Sequence, residues 1–329
     1  MTIDRALTER ASRLHDGALV IDGMNNAGLS RDYFEQILAG GVTAAMVPVS
    51  ITDPFSVAIE KILTFRDLVE ANSDLALIVE DVTEIQTARE TGRVGLIIVL
   101  EDSRQLEKDL RKVDLFRRIG VRRFQLVYTT LNDAGCGAGD RTDSGLSSFG
   151  VELIGELERC GVLIDLSHAG PQTLADALEV VTKPCVWSHC NVQGVFAHKN
   201  NLTDEQLDAV GQNGGVVGIS GVPFYTGEPG ATISKMIDHI DYVKTRIGID
   251  HLGIGLAIFE NHPLSFYDRF ASLPKDVYGT PPWRWPSGIA TVAEFTNITS
   301  ALVDRGYTDA EILKVLGGNM LRVCAAAWE

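Results

Sequence analysis

The chain has few cysteines, no long hydrophobic run and a shortage of positive charge, and each of these features excludes a class of protein. Its 5 cysteines are odd in number and include no Cys-x-x-Cys pair, which argues against a disulfide framework or a zinc ribbon. The longest apolar runs, such as residues 94–100, have the length of a strand and are too short to cross a bilayer. Lys and Arg total 29 against 44 Asp and Glu, a net charge of -15, which disfavours nucleic acid as a partner.

The start of the chain and the overall composition indicate where the protein resides and how it is organised. No apolar stretch follows a basic segment within the first residues, so no signal peptide is predicted. Together with thiols expected to be reduced and buried, this predicts a soluble, cytoplasmic protein with no membrane partner. The 329 residues are 45% hydrophobic and contain no stretch of linker composition, so we expect one domain over residues 1–329.

Short apolar runs rich in Val, Ile and Leu alternate with amphipathic stretches. The runs predicted to be strands are residues 18–22, 42–49, 75–79, 95–101, 123–128, 162–166, 184–189, 215–220 and 252–257. Predicted helices lie between them, for example over residues 54–70, 149–159 and 203–212, the last with Thr203 as N-cap and Gln206 three residues later. This alternation predicts a TIM-like (β/α)8 barrel with C-terminal helices, in which the short run 75–79 is the peripheral strand. A doubly wound sheet is the rival, but no Gly-x-Gly-x-x-Gly follows the first strand.

Polar residues stand at the predicted strand ends, where barrel enzymes place their chemistry. Glu101, His168 and His189 end three of these strands. One carboxylate and two imidazoles suit zinc or a similar divalent ion and leave a position open for water. The alternative is that the two Ser-His pairs only cap backbone groups at the ends of their strands.

Six short motifs occur in order from about residue 18 to 325. They are Asp22-Gly23, Gly145-Leu-Ser-Ser-Phe-Gly150, Gly161-Val-Leu-Ile-Asp-Leu-Ser-His168, Trp187-Ser-His189, Gly253-Ile-Gly255 and Gly317-Gly-Asn-Met-Leu-Arg-Val323. In this order and spacing they resemble the renal (membrane) dipeptidase family, peptidase family M19. The resemblance implies a TIM-like barrel of the amidohydrolase type, often a homodimer, usually with two zinc ions bridged by a glutamate.

The resemblance holds at one of the two metal positions. Glu101 matches the bridging glutamate, and His168 and His189 match the histidines of the second metal. The first strand of the family reads Asp-Gly-His-Asn-Asp, and here Met24 and Asn26 replace the two metal ligands of that pattern. A thioether and a neutral amide are poor ligands for zinc, so the resemblance implies one divalent ion, with zinc the first choice and no metal the alternative.

Other functional positions of the family are changed as well. A catalytic histidine corresponds to Tyr128, the Arg-Asn pair that anchors a dipeptide carboxylate reads Asn200-Asn201, and the acid–base aspartate is Ala257. Loss of the Arg removes a charged hydrogen bond worth about 1.5–3 kcal/mol. Loss of the general base removes roughly two to four powers of ten in rate. Ordinary dipeptide hydrolysis is therefore predicted to be inefficient.

Several polar residues could take over the emptied roles. Tyr128, Glu260 and His262 are the candidate catalytic acid–base groups, and the alternatives are an aromatic wall for Tyr128 and a solvated loop for the other two. The candidate substrate-binding residues are Asp22, Met24, Asn26, Asn132 and Asn200. Asp22 could instead bind backbone amides, and Asn132 belongs to a glycine-rich loop expected to shape a pocket wall. The aromatic run from Pro281 to Pro286 is expected to overhang the barrel mouth or a subunit contact.

Three functions remain on these grounds. The first is a divergent dipeptidase-family metal-dependent hydrolase that acts on a small amide-type substrate. The second is a lyase or isomerase on the same barrel, with Tyr128, Glu260 or His262 as acid–base. The third is a catalytically inactive relative that binds a ligand. The joint presence of Glu101, His168 and His189 favours an enzyme, and family precedent favours the hydrolase.

Overall fold

Parallel strands close into a barrel in the computed structural model, which describes residues 2–227, 230–272, 275–281 and 283–329. The strands are β1 (Ile21–Asp22), β2 (Ala44–Ser50), β3 (Ala76–Ile78), β4 (Val94–Leu100), β5 (Val121–Gln125), β6 (Leu163–Asp165), β7 (Val186–Trp187), β8 (Val216–Ile219) and β9 (Leu252–Ile254). Pairing runs β2-β1-β9-β8-β7-β6-β5-β4, and β2 also pairs with β4, so eight strands form a closed ring. β3 lies outside the ring against the first residues of β4, with Ala76 beside Val94. The predicted barrel and its peripheral strand are confirmed.

Helices surround the barrel and continue past its last strand. They are α1 (Thr2–Gly17), α2 (Arg31–Ala39), α3 (Phe55–Ala71), α4 (Val82–Thr91), α5 (Arg111–Arg118), α6 (Ser148–Arg159), α7 (Pro171–Val180), α8 (Asp204–Asn213), α9 (Pro223–Thr226), α10 (Ile233–Ile247), α11 (Lys275–Tyr278), α12 (Thr296–Asp304), α13 (Asp309–Leu313) and α14 (Asn319–Trp328). The predicted cap of α8 is present, because the Thr203 side chain accepts from Gln206 N and the Gln206 side chain binds the N-cap amide.

The continuous apolar sequence of the strands follows from burial on both faces. All seven residues of β4 are buried, as expected for a parallel strand with side chains on one face inside the barrel and helices against the other. Inside the barrel, Ile21, Met46 and Ile97 belong to a cluster that Met320 and Val323 of α14 also join. The C-terminal helix therefore packs against the residues that fill the barrel.

Most of the strands end earlier than predicted on the carboxyl side, whereas β1 ends at residue 22 as predicted and β2 ends one residue later, at Ser50. β5 ends at Gln125 instead of residue 128, and β9 ends at Ile254 instead of residue 257. Beyond these points side chains take over the backbone hydrogen bonds. The Gln125 amide donates to Glu101 O and Val127 O, and Leu256 N donates 2.9 Å to the Asp22 carboxylate. Polar side chains thus shape the loops that follow the strands.

The five cysteines are all free, as the composition predicted. Cys136, Cys185, Cys190 and Cys324 are buried, and Cys160 is partly exposed. Burial raises the pKa of the Cys190 and Cys324 thiols to about 12, so these side chains serve as small apolar packing groups. Within the described part of the chain, no helix combines the length and apolar composition that crossing a bilayer requires.

Candidate active site

Side chains from four consecutive strands of the ring meet at the carboxyl end of the barrel. Glu101 follows β4, Tyr128 follows β5, His168 follows β6 and His189 follows β7. All four line one closed cavity. The other residues lining it are Asn26, Ile51, Val222, Phe224, Tyr225, Ala257, Phe259 and Tyr278. The structure therefore brings together the three predicted metal ligands and one of the predicted acid–base groups.

Two imidazoles face each other at the centre of this site. Nε2 of His168 lies 2.9 Å from Nε2 of His189. Ser188 Oγ lies 2.5 Å from Asp165 Oδ2 and 2.8 Å from His189 Nδ1. Because the carboxylate can only accept, Ser188 donates to Asp165 and accepts from His189 Nδ1–H. His189 is therefore the tautomer whose Nε2 lone pair points at His168.

His168 is held from its opposite edge by two groups. Its Nδ1 lies 3.2 Å from Thr129 Oγ1 and 3.3 Å from Asn200 Nδ2. Thr129 in turn shares a short hydrogen bond with the Tyr278 hydroxyl. Among the non-glycine residues with positive φ, Thr129 (62°), His168 (64°) and Ala257 (54°) line the cavity or contact His168. Such conformations persist only where surrounding contacts fix them, and they cluster at functional sites.

Burial keeps both imidazoles neutral. His168 and His189 are 6% and 4% exposed. Desolvation lowers the pKa of His168 to about 4 and places the pKa of His189 well below its usual value of 6.5. Neutral imidazole is the form that binds metal ions. At neutral pH the pair therefore needs no deprotonation to act as ligands.

These low pKa values predict acid sensitivity of the metal-free protein. Between pH 6.5 and 4, His168 binds a proton in the unfolded chain but not in the folded one, so stability falls as the pH falls. We expect His168 to account for a loss of about 3 kcal/mol over this range, and His189 acts in the same direction. The free energy of unfolding in urea, measured at several pH values between 6.5 and 4, gives the size of this loss. The loss should be smaller by about that amount in His168→Gln than in the wild type, and equal slopes in the two proteins would contradict the prediction.

A buried ion pair lies beneath the site and was missed by the sequence analysis. Arg123 of β5 and Asp165 of β6 are fully buried, with Nε 3.4 Å from Oδ2. Arg123 Nη1 also donates to Gly23 O and lies 3.1 Å from Met46 Sδ. The available signals were the two adjacent arginines of β5, Arg122 and Arg123, and the single aspartate that ends β6. Since Asp165 also binds Ser188, the ion pair supports the side chain that orients His189.

The residues after β1 do not assemble a second metal position. Met24 is fully buried, and its Sδ lies 3.6 Å from Arg123 Nη2. Asp22 is also buried and accepts from Met24 N, Leu256 N and the Asn25 amide. Burial raises the pKa of Asp22 to about 7 against the pull of these donors. Met24 therefore contacts the Arg123 guanidinium, and Asp22 accepts hydrogen bonds from backbone amides. Both residues were predicted to bind substrate, and neither lines the cavity.

The donor set fits one divalent ion in part. Two neutral imidazoles with facing Nε2 atoms are suitable ligands, and Glu101 lines the same cavity. The side chain of Asn200 contacts His168. Its Oδ1 is a buried acceptor and has no hydrogen-bond partner among the described residues. Among the described residues, no three His, Cys, Asp or Glu side chains are already arranged to hold a metal ion. The two histidines fit such an ion, and Glu101 is the candidate third ligand because it lines the same cavity.

An aromatic cap closes the cavity. Phe224 and Tyr225 of α9, Tyr278 of α11 and Trp283 form one buried cluster with Tyr128. Trp283 Nε1 donates 2.6 Å to Tyr278 O, and the rings of Phe224 and Trp283 lie 5.3 Å apart. The run from Pro281 to Pro286 thus contributes to the cap, although Pro282 lies outside the described residues. The enclosed cavity of about 20 Å3 has room for a water molecule and not for a substrate.

Glu260 and His262, predicted as acid–base groups, do not line this cavity. Glu260 Oε1 accepts from Val292 N at 2.6 Å and from the Tyr33 hydroxyl at 3.3 Å. His262 Nε2 lies 2.6 Å from Asn26 O, and its ring stacks on Phe266 at 3.6 Å. Both side chains brace the loop that follows β9. Their acid–base role stays a prediction that this geometry does not support.

The predicted substrate-binding amides differ in their positions. Asn26 lines the cavity, whereas Asn132 and Asn200 do not. Asn132 donates to Asp102 and Leu126 O and accepts from Ala134 N at 2.8 Å, so it shapes the loop after β5. Asn200 lines a neighbouring cavity of about 40 Å3. Of the three amides, only Asn26 is positioned to contact a substrate directly.

Comparisons with known proteins agree on the type of fold and on the family. A sequence profile of the membrane dipeptidase family (peptidase family M19) matches residues 9–265. An amidohydrolase structure from Pseudomonas aeruginosa is 33% identical, with a TM-score of 0.90 over 97% of this chain and 99% of that one. The probable dipeptidase PvdM from the same organism is 20% identical, with a TM-score of 0.83 over 98% and 99% of the two chains. The latter is a likeness of fold.

Curated relatives are longer than this chain. Dipeptidase tcpJ of Claviceps purpurea (strain 20.1) is 27% identical over 268 residues, which are 80% of this chain and 58% of tcpJ. Across five relatives named as dipeptidases, the chain spans 51–63% of their length. The family profile match over residues 9–265 includes every strand of the barrel and the residues that line the cavity, except Tyr278.

Proposed function

The chain belongs to the membrane dipeptidase family, peptidase family M19, and from this premise we propose that it is a metal-dependent hydrolase of a small amide. The observation that carries the proposal is the facing pair of neutral imidazoles, His168 and His189, in a closed cavity that Glu101 also lines. Hydrolysis of an amide requires an activated water and a polarised carbonyl. A narrow cavity with room for a water molecule and an open metal position can provide both.

Each residue around the cavity has a definite part in this proposal. His168 and His189 hold one zinc-like ion through Nε2, with Glu101 as the third ligand. When bound, such an ion lowers the pKa of a water ligand toward 7 and polarises the scissile carbonyl. Asp165 and Ser188 fix the ring of His189, which keeps its lone pair directed at the ion.

Tyr128 is the remaining candidate for direct help in the reaction. Its ring lies 4.9 Å from the ring of His168, and Asp102 fixes its backbone by accepting from Tyr128 N at 2.8 Å. A phenol so placed can donate a hydrogen bond to the oxygen of a tetrahedral intermediate. The aromatic cap opens to admit the substrate and excludes bulk water when it closes, which strengthens such polar contacts.

The cavity lining argues against a free carboxylate on the substrate. No Lys or Arg is among the described residues that line it, and the fully buried Arg123 is engaged with Asp165. A carboxylate brought into this cavity would lie near Glu101, with the proposed ion but no Lys or Arg of the described lining to pair with it, at a high desolvation cost. The substrate is therefore a small, largely apolar amide, and ordinary dipeptides are poor substrates.

A matched pair of substrates tests this proposal. We expect Gly-Ala amide to be cleaved at its peptide bond with a kcat/KM at least equal to that of free Gly-Ala. An enzyme with an Arg anchor gains about 1.5–3 kcal/mol from the free carboxylate, which favours the dipeptide roughly ten- to hundredfold. Activity lost with a chelator and restored by zinc identifies the ion as the cofactor. A tenfold or greater preference for the dipeptide would contradict the assigned substrate class.

Elemental analysis of the protein purified without chelator tests the cofactor. About one zinc-like ion per chain supports the site on His168 and His189. A folded protein that contains no ion would contradict the hydrolase proposal. A metal-free lyase, an isomerase or a binding protein would then remain as candidate functions. The predicted homodimer and the cytoplasmic location stay predictions.

A further inference from the structure

Asn200 occupies an unusual position for a buried amide. It is 6% exposed, and its Nδ2 lies 2.5 Å from the Tyr225 hydroxyl and 3.3 Å from His168 Nδ1. Its Oδ1 is buried and has no hydrogen-bond partner among the described residues. An unsatisfied buried acceptor costs about 1–3 kcal/mol. The amide is therefore not locked in this orientation by bonds at both of its ends.

The present orientation implies one tautomer of His168. An amide N–H directed at His168 Nδ1 requires this nitrogen to accept, so the ring proton is on Nε2. His168 Nε2–H then donates to the bare Nε2 of His189, which agrees with their separation of 2.9 Å. In this form the two histidines bind each other, and only one of the facing nitrogens carries a lone pair.

A half turn of the amide reverses this arrangement without changing any charge. Oδ1 then accepts from His168 Nδ1–H and from the Tyr225 hydroxyl, so both partners found around Nδ2 are kept. The proton leaves His168 Nε2, and both histidines direct lone pairs at the same point. The Asn200 Nδ2 then takes the former place of Asn200 Oδ1. This side chain lines the cavity of about 40 Å3, which Asn201 also lines. The Asn201 Oδ1 is a further buried acceptor without a hydrogen-bond partner among the described residues.

We propose that Asn200 is a positioning residue that selects the tautomer of His168, and so sets whether the histidine pair is closed on itself or ready to bind a metal ion. This inference rests on the proposed metal-dependent hydrolase. The structure shows the closed form of the pair, and metal binding selects the turned amide. Asn200 acts through His168 and touches neither substrate nor ion.

Two substitutions at this position separate the proposed role from simple packing. In Asn200→Asp only acceptors remain, which fixes the metal-ready tautomer, so zinc should bind at least as tightly as in the wild type. In Asn200→Leu neither tautomer is selected, and zinc should bind about 10- to 100-fold more weakly, as for other residues that orient metal ligands. Competition with a chromophoric chelator measures zinc affinity. Nitrogen-15 NMR of the His168 ring in the metal-free protein reports the tautomer directly.

Controls address charge and the second neighbour of His168. Asn201→Asp adds the same charge one residue away on a side chain that binds Phe196 O and Tyr225 O, and it should change stability without moving the proton of His168. Thr129→Val removes the other group at Nδ1. If this variant shifts the tautomer while both Asn200 variants leave it on Nε2, the proposal is overturned. A wild-type protein that binds no zinc would refute the hydrolase proposal, whereas the NMR result would still decide the role of Asn200.

Discussion

Replacement of His168 by alanine is expected to lower the zinc content from about one ion per chain to near zero. One of the two facing nitrogens is lost, and Glu101 with His189 alone is too small a set for tight binding. Since loss of residues that merely orient ligands weakens metal affinity 10- to 100-fold, loss of the ligand itself should exceed about a hundredfold. Elemental analysis and zinc titration of the purified variant measure this change, and amide hydrolysis should fall with the zinc content.

His239 provides a matched control for the loss of a buried imidazole. It is fully buried, and its pKa is lowered to about 4 by desolvation, like that of His168. Its ring accepts from Val192 N at 3.2 Å and lies 3.2 Å from Thr226 O, away from the cavity. His239→Ala should reduce stability and leave one ion per folded chain. Unchanged zinc content in the His168 variant would rule out the proposed ligand set.

Replacement of Arg123 by methionine is expected to destabilise the protein by about 3–5 kcal/mol. The substitution keeps most of the side-chain volume but leaves the Asp165 carboxylate in a fully buried position without its cation. Three further contacts of Arg123, with Gly23 O, Met24 Sδ and Met46 Sδ, are lost as well. The free energy of unfolding in urea measures the effect, and zinc affinity should fall as well, because Asp165 holds Ser188 against His189.

A second substitution shows whether the charge is the cause. Arg123→Met combined with Asp165→Asn removes both charges and should recover at least half of the lost stability. The exposed pair of Arg31 and Asp74, 2.6 Å apart, is the surface reference, and breaking it should cost less than about 1 kcal/mol. If the single and double variants are equally unstable, the loss arises from packing and not from an unpaired charge.

The sequence predicted the barrel well because its signal is repeated along the chain. All nine predicted strands are present, including the outer one at Ala76–Ile78, since most of them are continuous apolar runs and a parallel barrel buries both faces of its strands. The same topology brings strand ends together, so Glu101, Tyr128, His168 and His189 could be placed at one mouth without knowledge of any loop.

Loop residues were harder to place, because sequence does not determine the direction of a side chain beyond a strand. Glu260 and His262 follow β9 closely, but neither side chain lines the cavity. Glu260 accepts from Val292 N, and His262 Nε2 lies against Asn26 O. Asn200 was assigned to substrate on the basis of the resemblance and contacts His168 instead. The ion pair of Arg123 and Asp165 was overlooked because β5 carries two adjacent arginines and nothing in the sequence marks which of them points into the barrel.

The guanidinium under Met24 disfavours a second metal ion in this part of the barrel. A histidine at position 24 and an aspartate at position 26 would supply ligand types there, but the buried cation that contacts Met24 Sδ would remain. A divalent ion placed beside it would be repelled in a region of low dielectric. A second ion here would therefore need a change on β5, to remove the cation, as well as new ligands after β1.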